Sequence, residues 1–210
     1  MIELNVMSFD VGREYSLVRN FMQRRFLTNF IKSEDCNVVM LRGDNVGSNI
    51  NLKKLDDKYN MTEYKGGTGT LYKNNLSILS EVDYPDICNV SLTRFDNKFL
   101  LFINVNLESV DNIDDLIKIC DRYGDKDSDY YVARRVVAGK IPSKVNMEAF
   151  SELVGLKNVY CKKYDDYSDY VLASDNLGIN YTRICPGIVD ILNVGESYPV
   201  VTSLCYKKTK

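Results

Sequence analysis

Cys36-Asn37-Val38-Val39-Met40-Leu41-Arg42-Gly43 is the stretch on which the fold reading turns. Its apolar residues run on without alternation, which is the mark of a short strand buried on both faces at the centre of a sheet. Upstream, Ile2-Glu3-Leu4-Asn5-Val6-Met7-Ser8-Phe9 alternates apolar with polar and reads as a first strand. Between the two, from Glu14 to about Lys32, the spacing turns helical, with Val18, Phe21, Met22, Phe26 and Phe30 on one stripe.

Downstream the chain is mostly strand. Gly66-Gly67-Thr68-Gly69 opens a strand at Thr70-Leu71-Tyr72, and Asn74-Asn75 turns it into Leu76 to Leu79. Ile87 to Arg94, the turn Asp96-Asn97 and Lys98 to Leu107 form a hairpin. Ile113, Leu116, Ile117 and Cys120 mark a helix that stops near Gly124, and the acidic stretch Gly124 to Asp129 reads as a solvated loop. Val132 to Gly139 is a further strand. Asn146 can cap a short helix with Met147, Phe150 and Val154 on one face and Gly155 past its end. Asp169 to Ala173 and Pro199 to Tyr206 close the series as strands. Strands outnumber helices, so sheets packed on one another with helices outside, an α/β sandwich, are expected. With no linker, repeat or low-complexity tract, residues 1–210 read as a single domain.

Composition narrows the chemistry. The 210 residues include no histidine and no tryptophan. Without an imidazole, serine triads, Cys-His dyads and histidine zinc sites are excluded together. Catalysis would have to run on Asp, Glu, Lys, Tyr or Cys. The six cysteines, Cys36, Cys88, Cys120, Cys161, Cys185 and Cys205, form no C-x-x-C pair. They read as free, mostly buried thiols of a reducing compartment. The start MIELNVMSFD lacks a basic segment followed by an apolar one, and the longest apolar run, Phe99 to Ile103, is too short to span a bilayer. The expectation is a cytoplasmic or nuclear protein that is not secreted and meets no membrane. A net charge of -2 argues against a general nucleic-acid binder held by a basic field. The abundance of Asn, Lys, Ile, Tyr and Asp fits an AT-rich coding genome, such as that of a large DNA virus.

The ordered series of segments resembles the endonuclease/exonuclease/phosphatase superfamily, the DNase I-like proteins, from the first strand to the last. Met7-Ser8-Phe9-Asp10 stands where members have S/T-Y-N, and Cys36 to Gly43 where they have P-D-I-I-x-L-Q-E. Gly69-Thr70-Leu71-Tyr72-Lys73 resembles their G-x-A-I-L-x-K strand, and Ile103-Asn104-Val105-Asn106-Leu107 their V-x-T-H-L strand end. Ala138-Gly139-Lys140-Ile141-Pro142 takes the place of the G-D-F-N turn, and Ser168 to Ser174 that of I-D-Y-I-x-x-S. Gly195-Glu196-Ser197-Tyr198-Pro199-Val200 takes that of S-D-H-x-P-V. The resemblance implies a four-layer α/β sandwich, two packed mixed sheets flanked by helices.

It also implies a divalent metal held by a carboxylate, and this chain departs from that pattern. Gly43 stands at the metal-binding glutamate, Asn106 and Ser197 at the two histidines, and Lys140 and Pro142 at the aspartate and asparagine of the acid turn. The expected former cleft is therefore Asp10, Arg42, Gly43, Asp44, Asn104, Asn106, Lys140, Pro142, Asp169, Glu196 and Ser197, with no catalytic residue, no metal and no cofactor. Lys140 is expected to replace the ion by pairing with Asp10 or Glu196. The chain then reads as a pseudoenzyme that binds a protein partner, through the cleft mouth or through Tyr160, Tyr164, Tyr167, Tyr170 and Tyr181. One alternative is a nucleic-acid or phosphate reader using Arg42, Lys140, Arg13, Arg19, Arg24, Arg25, Lys32 and Arg134-Arg135, with Tyr59, Tyr64, Tyr72 and Tyr130-Tyr131 as stacking platforms. The other is a phosphoesterase with relocated ligands, Asp10, Asp44 and Glu196, and with Asp190 as a further candidate.

Overall fold

The structure, a computed structural model, describes residues 3–12, 17–43, 50, 51, 55, 57–65, 67–186 and 198–206, with the side chains of 17–23 left aside. In chain order the elements are β1 (Glu3–Asp10), α1 (Leu17–Glu34), β2 (Val38–Arg42), β3 (Tyr59–Met61), β4 (Thr68–Lys73), β5 (Ser77–Tyr84), β6 (Cys88–Phe95) and β7 (Lys98–Asn106). A short 3-10 turn then leads into α2 (Ile113–Gly124), followed by β8 (Arg135–Pro142), α3 (Met147–Leu153), β9 (Lys157–Lys163), β10 (Tyr167–Ala173), β11 (Leu177–Ile184) and β12 (Val200–Tyr206). No helix among the described residues is long and apolar enough to cross a membrane.

The strands form two mixed six-stranded sheets, ordered β11-β12-β1-β2-β4-β3 and β5-β6-β7-β8-β10-β9. Each is built around one parallel pair, β1 with β2 and β7 with β8, while the other pairings are antiparallel. A parallel pair needs a crossover, and α1 and α2 supply one for each sheet. Alternation along the strands then fixes three apolar layers. Met7, Phe9, Val39 and Leu41 meet Leu27 and Ile31 of α1. Leu4, Val6, Val38 and Met40 meet Phe102, Val136, Ala138 and Val171 between the sheets. Ile103, Val105 and Val137 meet Leu116 of α2 and Phe150 of α3. The result is the expected four-layer sandwich.

Several local expectations change. β3, β9 and β11, absent from the sequence reading, are all edge strands. Covered on one side only, β9 and β11 show no clean alternation of burial. The stripe of α1 is rotated: Leu27 and Ile31 are buried and Phe26 is exposed, with half-buried Phe30 against Phe9, whereas Val18, Phe21 and Met22 lie outside the described side chains. Ala138 to Pro142 is no turn but the end of β8, held between β7 and β10. Other readings hold. Asp96 and Asn97 have φ of 46° and 59°, the left-handed values of a tight hairpin turn. The Asn146 side chain accepts from Glu148 N and Ala149 N at the start of α3. Cys36, Cys88, Cys120 and Cys185 are buried and all six thiols are free.

Candidate functional site

The layer between the sheets is apolar over most of its length and turns polar where β1, β2, β7 and β8 end. Inward-facing positions there are Ser8 and Asp10 on β1, Arg42 on β2, Asn104 and Asn106 on β7, Lys140 on β8 and Asp169 on β10. The strand registers set these side by side, Asp10 beside Arg42 in one sheet and Asn106, Lys140 and Asp169 across the other. The sequence-predicted cleft residues on described strands thus do come together. Asp44, Asp190, Glu196 and Ser197 lie outside the described residues.

Charges in this layer are matched internally. Arg42, 1% exposed, donates from Nη1 to Ser8 Oγ at 2.8 Å and places Nη2 3.5 Å from the buried Asp169 carboxylate. It is a core residue, not the surface cation that contact with a phosphate would require. Asp10 accepts from Gly12 N at 2.8 Å with one oxygen and lies 4.0 Å from Lys140 Nζ with the other. Lys140 Nζ also sits 4.4 Å above the Tyr167 ring. The expected pairing of Lys140 with Asp10 is therefore present. Asn104 is fully buried and bridges the sheets, its Nδ2 donating to Leu41 O at 3.0 Å, Gly69 O at 3.2 Å and Thr70 Oγ1 at 3.3 Å.

Gly43 closes the cluster. Its φ of 123° belongs to a region that disfavours L side chains, and a Cβ there would lie 2.6 Å from Gly12 O and 3.4 Å from Asp10 Oδ1. The Tyr64 hydroxyl donates to Gly43 O, and Gly43 N donates to Gly67 O at 3.0 Å. Gly67, with φ of 73°, would in turn drive a Cβ to 2.7 Å from Asn106 Nδ2. Gly12, Gly67 and Tyr64 escape the sequence reading of the cleft. The one available signal is the Gly66-Gly67-x-Gly69 run, which by itself reads only as a strand opening.

Beside this cluster opens a cavity of about 740 Å³ lined by Glu108, Lys140, Pro142, Tyr164, Asp165 and Tyr167, among others. Tyr164 and Tyr167 stack there at 4.7 Å. A divalent cation does not fit the donors described. Among the described residues no three His, Cys, Asp or Glu side chains converge, and the two buried carboxylates, Asp10 and Asp169, each already face a cation. The five-tyrosine surface does not form as one patch. Tyr170 is core, Tyr160 packs against the inter-sheet layer, and exposed Tyr181 belongs to the other sheet. Of the stacking platforms, Tyr59 and Tyr72 are buried and Tyr64 is tied to Gly43, which leaves Tyr130 and Tyr131 exposed. Among the cations, Arg135 is buried beneath the outer helices and Arg13 and Arg19 lie outside the described side chains.

No protein-family model and no curated protein sequence matches the chain. Solved structures do. An endonuclease/exonuclease/phosphatase from Bacteroides vulgatus is similar at a TM-score of 0.73 and 10% identity, over 99% of this chain and 100% of that one. Humanized Danio rerio (D. rerio) TDP2 is similar at 0.68 and 14%, over 97% and 99%. A mannosyl-6-phosphatase from Bacteroides thetaiotaomicron is similar at 0.66 and 11%, over 97% and 100%. The shared feature is the fold, the DNase I-like two-sheet sandwich.

Proposed function

We propose that this chain is a catalytically inactive protein of the endonuclease/exonuclease/phosphatase type and that it works by binding a partner protein. Gly43 is the observation that carries this reading. At the position that the sequence resemblance matches to the metal-holding glutamate there is no carboxylate, and the backbone there leaves no room for one. The surroundings support the same reading. Lys140 sets a fixed positive charge beside Asp10, and Arg42 does so beside Asp169. A cation already in place removes the reason for a metal, which in this chemistry neutralises phosphate charge and orients the attacking water. The chain has no imidazole to take that water's proton. General acid-base help is worth about 10²–10⁴-fold, and fixed donors at the developing charge about 10²–10³-fold, so their joint loss reaches background rates.

The test is a calorimetric titration of the full chain with Mn²⁺ at neutral pH, beside a panel of phosphomonoesters, phosphodiesters and single-stranded DNA. A flat titration and background hydrolysis are expected. Saturation at one ion per chain, abolished by Asp10→Ala, would overturn the inactive reading and revive the relocated-ligand phosphoesterase. Affinity purification from the source cells tests the partner. A stoichiometric protein is expected, and salt-sensitive retention of nucleic acid in its place would favour the phosphate reader.

A further inference from the structure

β5 is an edge strand of the second sheet, and among the described residues it pairs with β6 alone. Such an edge presents a row of free N–H and C=O groups, a template for one more strand. The register fixes what each face of β5 would offer that strand. Glu81 and Asp83 stand opposite Ser91 and Asn89, on the side turned toward the first sheet, and Asn89 Nδ2 donates to Glu81 Oε1 at 2.8 Å. That side is fixed by Asn104, opposite Asn89 on β7, which reaches Leu41 O and Gly69 O across the layer. Ser80 and Val82 stand opposite Leu92 and Val90, on the outer face.

The two faces differ in chemistry. On the outer face Val82, 42% exposed, Leu92 of β6 and Phe99 of β7, 55% exposed, line an apolar cavity of about 780 Å³ with Tyr130. On the other face the free charge is negative. Lys65 is paired with Glu63 at 2.7 Å, and neither Glu81 nor Asp83 forms a salt bridge among the described residues. Asp83 Oδ1 is buried and has no hydrogen-bond partner among them. Burial holds this carboxyl above its ordinary range, with Lys65 opposing the shift and Glu63 and Asp86 adding to it. A cation brought beside such a group is favourable.

Charge also selects the edge and its occupant. β3 is three residues long, β9 carries Lys157, Lys162 and Lys163, and β11 carries Arg183, so β5 is the acidic edge among the described strands. A second copy of the chain is a poor occupant, since antiparallel self-pairing about Val82 sets Glu81 opposite Asp83. We infer that the free edge of β5 takes an added strand from a partner protein, with basic side chains on the Glu81 and Asp83 face alternating with apolar ones on the Val82 face. Main-chain bonds along Ser77–Tyr84 supply affinity, and the alternate side chains supply specificity. The inference rests on the reading that the chain binds a protein, and it gives that partner a chemistry.

The probes are three labelled octapeptides, titrated against the full chain by fluorescence anisotropy: alternating lysine and valine, its block isomer with the lysines first, and alternating glutamate and valine. The first is expected to bind saturably at one per chain, more tightly than its block isomer, while the acidic peptide does not bind. Glu81→Gln/Asp83→Asn weakens the first peptide by about tenfold, the joint worth of two exposed ion pairs, with circular dichroism checking the fold. In the unaltered chain, the bound peptide slows amide exchange in β5 and leaves β9 and β11 as they were. Any of four results overturns the assignment: no saturable binding, equal affinity for the alternating and block peptides, unchanged exchange in β5, or a dimer that protects β5 without peptide. Peptide failure beside a stoichiometric partner recovered from the source cells refutes this edge alone. Peptide binding at β5 with no partner recovered upholds the edge and counts against the earlier reading instead.

Discussion

Gly43 shows how one residue can settle what a cleft is able to hold. Its φ of 123° and the 2.6 Å that would separate an added Cβ from Gly12 O are distinct obstacles, one torsional and one steric. Gly43→Ala is therefore expected to destabilise the protein by about 3 kcal/mol in urea denaturation. Gly43→Glu should cost at least as much and gain no Mn²⁺ affinity, because the restored carboxylate has no place beside Asp10. An unchanged urea midpoint for Gly43→Ala would show that the loop between Asp10 and Gly12 yields freely. The buried Arg42–Asp169 pair makes a second case. Removing one partner leaves a charge in the core, so Arg42→Ala should cost about 3–5 kcal/mol, whereas Arg42→Met with Asp169→Leu should recover most of it. If the double variant is no more stable than the single one, the two groups are not coupled. That Asp10, Arg42, Lys140 and Asp169 would gather was legible from the order of the motifs. That their charges cancel one another was not, because pairing depends on side-chain direction across two sheets.

At the scale of elements, Arg135 ties the two outer helices to the second sheet. Its guanidinium donates to Cys120 O at 3.2 Å and to Val154 O at 3.5 Å, carbonyls near the C-terminal ends of α2 and α3. A positive charge there offsets the negative ends of both helix dipoles. Gly124 keeps the space open, since a Cβ on it would lie 2.1 Å from Arg135 Nη1. Arg135→Met should lower stability by about 2 kcal/mol or more and speed amide exchange in the last turns of α2 and α3 ahead of the β-strands. Uniform exchange across the protein would contradict this local role. The helices themselves were readable from spacing and from the Asn146 cap, and the central strands from their apolar runs. The edge strands β3, β9 and β11 were not, because a strand covered on one side only carries a weak pattern.

Over the whole molecule, burial of tyrosines and thiols sets an alkaline limit. Desolvation pushes the Cys36 and Cys120 thiols from an ordinary 9.0 up to about 12, Cys88 well above its usual value, and Tyr72 and Tyr170 above 10.0. In the unfolded chain these groups lose their protons from about pH 9 upward, while the folded protein keeps them. Each therefore contributes stability that is full below pH 9 and is lost as pH rises toward the folded values, by about 1.4 kcal/mol per pH unit for each fully buried group. The melting temperature should hold between pH 6 and 8.5 and drop steeply above pH 9, with tyrosinate absorbance appearing together with unfolding. A melting temperature that stays flat to pH 11 would mean that these groups are far better solvated than their positions imply. The sequence by itself determined the layered α/β architecture, since hydrophobic spacing states which faces must be covered, and the missing imidazole, since composition alone excludes it. Only the tertiary structure decided that Asn104 staples the sheets, that Arg42 is core and that Gly43 admits no side chain. Each of those depends on distances between segments far apart in the chain, and local patterns carry no record of such distances.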